Sequence, residues 1–213
     1  MIQLYDISRT LNPQIAVWPG DAPFQISQTL SIAKNDSVNL TTITMSAHTG
    51  THIDAPRHFL SDGAPVEQLD LSKYWGLAQV VTVSKESGPL FPDDFAGVDL
   101  TIAPRLLVHS RSSARNVTRF DDNIVYPSTV LADFLGAAGI VLYGADGPSM
   151  DKTDDPELRG HKALQRNEIA ILEGVVLTGV PDGLYELVAM PLKIEGGDGT
   201  PVRAVLRTLA ETE

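Results

Sequence analysis

The amino-acid sequence predicts a mixed α/β fold that is rich in β-strands and contains few helices. Short apolar and β-branched runs recur along the chain, separated by turns that contain glycine or proline. Only a few segments have a helical pattern, which indicates helices scattered around a largely β core. Hydrophobic residues make up 43% of the 213 residues and charged residues 20%, as is typical of folded proteins. Because no linker, repeat or low-complexity run interrupts the chain, we expect a single domain over residues 1–213.

The individual elements follow from local composition. Residues 92–95 begin with proline and two acidic residues, as a short helix does, and Ser128 can cap a helix over residues 129–138. Pro156 suits the first turn of a helix over residues 156–166. Nine segments combine β-branched or apolar residues with flanking turn signals and are predicted to be strands: residues 2–7, 24–30, 40–47, 77–83, 106–110, 140–143, 170–172, 185–190 and 202–206.

Composition also excludes several classes of function. The formal net charge of −11 argues against a nucleic-acid partner or an anionic membrane surface, because basic patches bind both. The absence of cysteine excludes disulfides and thiolate metal ligands. No apolar stretch is as long as a membrane span and no signal-peptide pattern begins the chain, so we expect a cytoplasmic protein. The sequence has neither a glycine-rich phosphate loop nor a Gly-x-Ser-x-Gly elbow, which argues against nucleotide chemistry and serine hydrolysis.

Residues 48–58 are the most informative stretch of the chain. They contain His48, His52 and His58, three of the five histidines, together with Asp54. Imidazole and carboxylate groups bind borderline cations such as zinc. One histidine at a strand end is more often a hydrogen-bonded structural residue than a ligand. Four such groups crowded beside glycine and proline instead indicate a metal site, for which manganese, cobalt and iron are alternatives to zinc.

The conformation of this stretch follows from its residue types. A spacing of four would stack His48 and His52 on one face of a helix, but β-branched neighbours and Gly50 disfavour a helix. Residues 39–46 have the composition of a strand. Four residues of extended chain span roughly 13 Å, whereas a zinc–nitrogen bond is about 2 Å long. We therefore expect a strand that leads into a tight ligand-bearing loop, with the chain folding back near Gly50 and Thr51.

Several parts of the chain resemble segments of the cyclase-family metal-dependent hydrolases, and especially their bacterial kynurenine formamidase (arylformamidase) branch. The resemblance implies a cyclase-like, swivelling β/β/α architecture and a homodimer. It extends over nearly the whole chain. The matching segments are residues 48–58, the Trp-Pro-Gly-Asp element within residues 16–21, residues 160–164 with 169–173, and residues 187–193 with 201–207.

The resemblance also implies a metal-ligand set. By similarity, His48, His52 and Asp54 hold one Zn²⁺, and Asp54 bridges to a second. His161 belongs to the second ion, and Glu173 shares in binding the pair. Two Zn²⁺ ions per subunit are therefore expected.

His58 and Trp18 match residues that act on the substrate in this family. His58 corresponds to a proton-transferring histidine, with a further metal ligand as the alternative. Trp18 corresponds to a substrate-contacting tryptophan on a turn that proline and glycine order, with a core or rim position as the alternative. The chain departs from the family at Lys162, where a second histidine is common, and at residues 109–110, where an arginine–threonine pair is common.

Three polar residues outside these motifs are expected to have no role in the chemistry. His109 ends an apolar run that is predicted to be a buried strand, and we expect it to be structural. Asp146 and Asp151 flank the Gly-Pro-Ser-Met sequence at residues 147–150. We expect this loop to be solvated, with an approach to a substrate as the alternative.

Three functional interpretations remain. The resemblance implies zinc-dependent hydrolysis of a small aromatic formamide, N-formyl-L-kynurenine, to L-kynurenine and formate in tryptophan catabolism. The first alternative is a related hydrolase acting on another cyclic amide such as isatin, or a dehydratase. The second is a non-catalytic metal-binding or scaffolding protein. The last is disfavoured because a structural zinc site is normally closed by four protein ligands and needs no proton carrier.

Overall fold

The computed structural model describes residues 1–210, which form thirteen β-strands, two α-helices and several short 3₁₀ turns. The prediction of a strand-rich mixed fold with few helices is confirmed. The helices are α1 (Thr129–Ala137) and α2 (Arg159–Arg166). The strands are β1 (Leu4–Asp6), β2 (Gln25–Leu30), β3 (Leu40–Thr44), β4 (His52–Asp54), β5 (Trp75–Thr82), β6 (Gly88–Leu90), β7 (Arg105–His109), β8 (Val125–Pro127), β9 (Leu142–Ala145), β10 (Ala170–Glu173), β11 (Gly183–Val188), β12 (Gly199–Pro201) and β13 (Val205–Thr208).

Nine of these strands form one mixed sheet in the order β1-β13-β11-β5-β7-β9-β10-β4-β12. Its centre is parallel, since β5 pairs with β7, β7 with β9 and β9 with β10 in that sense. Antiparallel strands extend it on both sides. The remaining strands form an antiparallel pair, β2 with β3, and a parallel pair, β6 with β8.

The central strands are buried on both faces, which explains why their sequences read as unbroken apolar runs. In β7, Leu106, Leu107 and Val108 are fully buried. Leu106 and Val108 belong to the cluster beneath α1 and α2, whereas Leu107 belongs to the cluster on the opposite face. This alternation is the period-2 pattern of a strand sandwiched between two apolar layers.

The helices agree with the sequence prediction to different degrees. Ser128 caps α1 by accepting a hydrogen bond from the backbone N–H of Leu131, as predicted. The prediction that Pro156 opens α2 is wrong, because the helix begins at Arg159. Leu158 adopts a left-handed conformation with φ of 49°, which interrupts helical geometry immediately before that residue.

All nine predicted strands overlap an observed strand, but their limits shift and four strands were not predicted. The strand predicted at residues 140–143 lies at Leu142–Ala145, and the one predicted at 202–206 lies at Val205–Thr208. The predicted helix at Pro92–Phe95 is a single 3₁₀ turn. The unpredicted strands are β4, β6, β8 and β12, each of three residues. Three residues are too few for a pattern of alternation to be read from the sequence.

The predicted reversal at Gly50 is confirmed and is followed by a short strand. Gly50 has φ of 76°, a left-handed conformation that favours glycine, and the chain returns as β4. In the antiparallel pairing of β4 with β10, His52 lies opposite Glu173 and Asp54 lies opposite Ile171. Residues two apart on a strand share a face, so His52, Asp54 and Glu173 project to the same side of the sheet.

Neither helix within residues 1–210 combines the length and apolar composition needed to span a bilayer.

Gly174 follows β10 and packs closely against the backbone of Gly50, where the chain reverses. A side chain at position 174 should therefore disturb this contact. Gly174 has φ of 68°, and a Cβ on it would collide with the carbonyl of Gly50. We expect Gly174→Ala to lower the free energy of unfolding by about 3 kcal/mol, combining left-handed strain with overpacking.

Gly179 provides the matched control, because its φ is 80° and a Cβ there would meet no atom within 4 Å. Gly179→Ala should cost only about 1 kcal/mol, the strain component alone. Urea unfolding of both variants measures the difference. Equal losses would show that the close approach of residues 50 and 174 does not constrain the fold.

Candidate metal centre and adjoining cavity

Asp54 lies at the centre of a buried cluster of imidazoles and carboxylates. Its Oδ1 is 2.9 Å from Nδ1 of His48 and 3.4 Å from Nε2 of His52. Its Oδ2 is 3.3 Å from Nε2 of His161, which lies on α2, more than 100 residues further along the chain. The carboxylate therefore touches three imidazoles, two from residues 48–58 and one from α2.

Glu173 closes the cluster from β10. Its Oε2 is 3.3 Å from Nε2 of His52, and its Oε1 is 3.3 Å from Nε2 of His161. Both imidazoles thus lie between the carboxylates of Asp54 and Glu173. The convergence of residues 48–58 with His161 and Glu173, which the sequence interpretation requires, is present in the structure.

The donor atoms of this cluster fit a divalent metal. Within residues 1–210, two groups place their donor atoms within 4.8 Å of one another: His52 with Asp54 and Glu173, and His48 with Asp54 and His58. Asp54 belongs to both groups, as a carboxylate that bridges two ions must. Oε1 of Glu173 is buried and has no hydrogen-bond partner among the described residues, which suits a metal ligand. Imidazole nitrogen and carboxylate oxygen are donors that zinc accepts.

The second group bears directly on His58. Its imidazole packs on that of His48, with ring centroids 4.0 Å apart, and it is 34% exposed toward the cavity described below. This position is compatible with proton transfer to a bound substrate. It is also compatible with the alternative that His58 is a further ligand.

Asp151 orients His161, and its predicted place in a solvated loop is wrong. Asp151 is buried, and its Oδ2 accepts hydrogen bonds from Nδ1 of His161 over 2.6 Å and from the backbone N–H of His161 over 3.0 Å. When His161 gives up one proton, as metal binding requires, this contact keeps the remaining proton on Nδ1, so that Nε2 presents a lone pair to the cluster. His52 is held in a similar way, because its Nδ1 lies 3.1 Å from the carbonyl oxygen of Gly50.

Asp146 is also buried, which the sequence interpretation did not anticipate. Its carboxylate accepts four hydrogen bonds, from the backbone N–H and hydroxyl groups of Ser110 and Ser113, over 2.6–2.9 Å. These bonds tie the turn after β7 to the loop after β9. His109, just before them, contacts Thr82 with 3.2 Å between Nδ1 and Oγ1 and does not line the cavity, as expected for a structural residue.

Asp198 is a site residue that sequence reasoning missed. Its Oδ2 lies 3.2 Å from Nε2 of His48 and 3.5 Å from Nδ1 of His58. Burial raises the pKa of Asp198, but the neighbouring His48 outweighs this and lowers it overall. The only local signal was an acid between glycines in the Gly-Gly-Asp-Gly run at residues 196–199. Lys162, which replaces a histidine of the family, is exposed beside the buried His161.

The buried charges shift one another's pKa values strongly. Burial opposes protonation of His52, but hydrogen bonds to Asp54 and Glu173 more than offset this and raise its pKa to about 10. The same balance raises the pKa of His161 well above its ordinary value. Burial alone would raise the pKa of Asp54, yet its contacts with His161, His48 and His52 hold it well below its usual range. Without a metal, the carboxylates are neutralised by protonated imidazoles.

A cavity of about 500 Å³ opens above the cluster. Trp18 lines it, is 39% exposed, and packs edge-on against Phe120 with ring centroids 5.2 Å apart. The backbone N–H of Asp21 donates to the carbonyl of Trp18 over 2.9 Å, which confirms the expected ordered turn. The aromatic pair and the imidazoles therefore border one shared space.

Comparison with known proteins supplies an independent view of the chain. A family model described as "Putative cyclase" matches residues 5–152. A kynurenine formamidase from Bacillus cytotoxicus is 44% identical over 204 residues, which cover 96% of this chain and 97% of that protein. The resemblance inferred from residues 16–21, 48–58 and the later segments is thereby confirmed.

Solved structures agree with this likeness. One described as "The Structure Of Potential Metal-Dependent Hydrolase With Cyclase Activity" has a TM-score of 0.83 and 26% identity, covering 99% of this chain and 100% of that one. Isatin hydrolase A from Labrenzia aggregata has a TM-score of 0.82 and 24% identity, covering 97% and 94%. The second likeness is one of fold. The cyclase-like architecture implied by the sequence is confirmed.

Metal binding to this cluster should release protons. Coordination needs a neutral imidazole, and the pKa of about 10 keeps His52 protonated at neutral pH in the metal-free protein. We expect release of at least one proton per chain at pH 7, and an affinity that falls at least about tenfold per unit as the pH is lowered.

Calorimetric titration of the metal-free protein with Zn²⁺, in two buffers of different ionisation enthalpy, measures the released protons. His109→Ala is the matched control, since His109 lies outside the cluster, and it should leave the result unchanged. A binding enthalpy that is independent of the buffer would contradict the expected exchange of protons for metal.

Proposed function

The chain belongs to the cyclase family, and on that basis we propose that it is a metal-dependent amidohydrolase that converts N-formyl-L-kynurenine to L-kynurenine and formate. The observation that carries this proposal is the buried carboxylate–imidazole cluster at the base of a cavity bordered by an aromatic pair. The first feature suits hydrolysis of an amide, and the second suits an aryl substrate. The likeness to kynurenine formamidases over nearly the whole chain supports the choice of substrate.

We propose that the resident metal is zinc, with two ions per subunit. His48, His52 and Asp54 would hold one ion, with Asp54 bridging to a second held by His161 and Glu173. The support is the donor chemistry, the membership of Asp54 in both groups of donor atoms, and the contacts of Nε2 of His161 with both carboxylates. The division of the imidazoles between the two ions follows the family resemblance. Bound there, the metal supplies Lewis acidity toward the formyl carbonyl oxygen and toward water.

His58 is proposed to carry the proton that amide hydrolysis must move. It would accept a proton from the attacking water and return it to the aryl nitrogen as the carbon–nitrogen bond breaks, leaving a neutral aromatic amine and formic acid, which ionises to formate by releasing its proton to solvent. Imidazole can do both at neutral pH. Its partial exposure to the cavity and the 3.5 Å separation of its Nδ1 from Asp198 support this role, because the carboxylate can orient the ring.

Trp18 is proposed to contact the aryl ring of the substrate. Its edge-on packing against Phe120 holds the indole at the cavity wall, where a planar ring can stack or pack against it. A ring placed there would present its ortho formamido group to the cavity that the imidazoles also border.

We propose that the chain forms a homodimer and resides in the cytoplasm. The homodimer is supported by apolar side chains on the β2–β3 pair, where Ile26 and Ile43 lie opposite each other and are both more than half exposed. Exposed apolar pairs of this kind are typical of contact surfaces. Sedimentation velocity of the full chain would identify the assembly.

A direct assay tests the catalytic proposal. The zinc-loaded protein should hydrolyse N-formyl-L-kynurenine, followed by absorbance of the product, and the protein stripped by a chelator should lose activity and regain it on adding Zn²⁺. A zinc-loaded sample that hydrolyses isatin but not N-formyl-L-kynurenine would contradict the proposal and favour the alternative substrate.

His58→Ala distinguishes the two roles open to this residue. If His58 carries the proton, kcat should fall by about 10²- to 10⁴-fold while the metal content stays at the wild-type level. Elemental analysis of the purified variant and turnover measured together give the answer. A loss of metal in His58→Ala, with full metal in the control His109→Ala, would make His58 a ligand.

A further inference from the structure

Arg115 faces the cavity with hydrogen-bonding capacity that the protein does not use. Its side chain is only 13% exposed, and it lines the same cavity as Trp18 and the imidazoles. Nη1 donates to the carbonyl oxygen of Asp121 over 3.1 Å, and Nε lies 3.1 Å from Oδ2 of Asp121. Among the described residues, no acceptor meets Nη2, which is buried. A buried N–H group without an acceptor is costly, so an acceptor from outside the chain is expected there.

Arg9 places a second guanidinium on the same cavity. Its Nη2 donates to the carbonyl oxygens of Asp146, over 2.8 Å, and of Ser112, over 3.3 Å. Burial and the proximity of Arg115 both lower the pKa of Arg9, while Asp146 opposes them. The carboxylate of Asp146 offsets part of the repulsion between the two guanidiniums, and an anion bound in the cavity would offset more.

The segment that carries Arg115 is fixed to the segment that carries the aromatic wall. The backbone N–H of Ala16 donates to the carbonyl of Val117 over 2.7 Å, and Trp18 packs on Phe120. The aromatic pair and Arg115 are therefore parts of one rigid edge of the cavity. A ligand whose ring contacts Trp18 therefore occupies the same cavity as the guanidinium of Arg115.

We propose that Arg115, assisted by Arg9, binds the α-carboxylate of the substrate's amino-acid side chain. This inference rests on the proposed function and deepens it, because it restricts the substrates to aryl formamides that carry a carboxylate. A planar guanidinium can bind a carboxylate through two parallel N–H···O hydrogen bonds, whereas the ammonium group of a lysine cannot. Arg115 is thus a specificity-determining residue and takes no part in the proton transfers.

Two substrates separate this role from a structural one. N-formyl-L-kynurenine carries the carboxylate, and N-(2-acetylphenyl)formamide has the same aryl formamide and ortho ketone without it. In the zinc-loaded Arg115→Gln variant, kcat/KM for the first should fall about 20- to 100-fold, as expected for a lost charged hydrogen bond. For the second it should change less than about twofold, since that substrate never makes the bond. Arg115→Lys should lie between Arg115→Gln and the wild type.

Arg111 supplies the matched control on the same turn. It pairs with Glu86 over 2.9 Å, lies 4.0 Å from Asp121, and does not line the cavity. Arg111→Gln should leave both substrates unaffected. An equal loss for both substrates in Arg115→Gln would overturn the proposal and make Arg115 a structural residue. Equal kcat/KM values of the wild-type enzyme for the two substrates would also overturn it.

Binding measurements keep this test separate from that of the proposed function. Calorimetry of the zinc-loaded protein with L-kynurenine and with 2-aminoacetophenone, which lacks the amino-acid group, requires no turnover. Arg115→Gln should weaken only the binding of L-kynurenine. Undiminished binding would overturn the carboxylate site even in an active enzyme. A wild-type protein that hydrolyses neither formamide would overturn the proposed function, while its selective binding of L-kynurenine would still support the site.

Discussion

The burial of two carboxylates in one place is the constraint on which the rest of the structure depends. Asp54 and Glu173 lie side by side, away from water, and neither charge is tolerated there without a cationic partner. The imidazoles of His52 and His161 each bridge the two carboxylates. A divalent ion satisfies the same oxygens more completely than two protons do, because it needs no separate donor for each one. The negative charge of the two buried carboxylates is therefore suited to neutralisation by a bound metal cation.

The sheet is arranged to hold these groups in register. β4 lies between β10 and β12, so the strand that carries His52 and Asp54 is paired on both sides despite its length of three residues. Ile53 points the opposite way into the apolar cluster beneath the other face and anchors the strand. Asp151 then fixes His161 from the helix side. Ligands on a doubly paired strand and on a helix whose first turn is held by a buried carboxylate are fixed more rigidly than ligands on free loops.

The sequence predicts the chemistry of this site better than its supporting contacts. The reversal at Gly50 was predictable because the residue types disfavour a helix and an extended chain is too long to bring His48 near His52. The roles of Asp151 and Asp198 were not, because each depends on how the folded chain places it against a histidine, ten residues away for Asp151 and far along the chain for Asp198. Asp198 is 150 residues from His48, and no local pattern encodes that approach. Recognition of a strand from its apolar pattern depends on the length of the strand. The longer, buried central strands repeat the pattern and were predicted, whereas the three-residue edge strand β12 is too short to show one.

Charge is distributed unevenly around the cavity, and this distribution can orient a ligand. One side presents carboxylates that call for a cation, and another presents Arg9 and Arg115, one of which has an unused N–H. A molecule with a polarisable carbonyl and a carboxylate can place the carboxylate at the arginines and the carbonyl at the metal-binding cluster. The net charge of −11 makes such a cationic patch conspicuous, because the protein as a whole repels anions. An anionic substrate must therefore be attracted by local groups, and the arginines beside the aromatic wall are placed to do so.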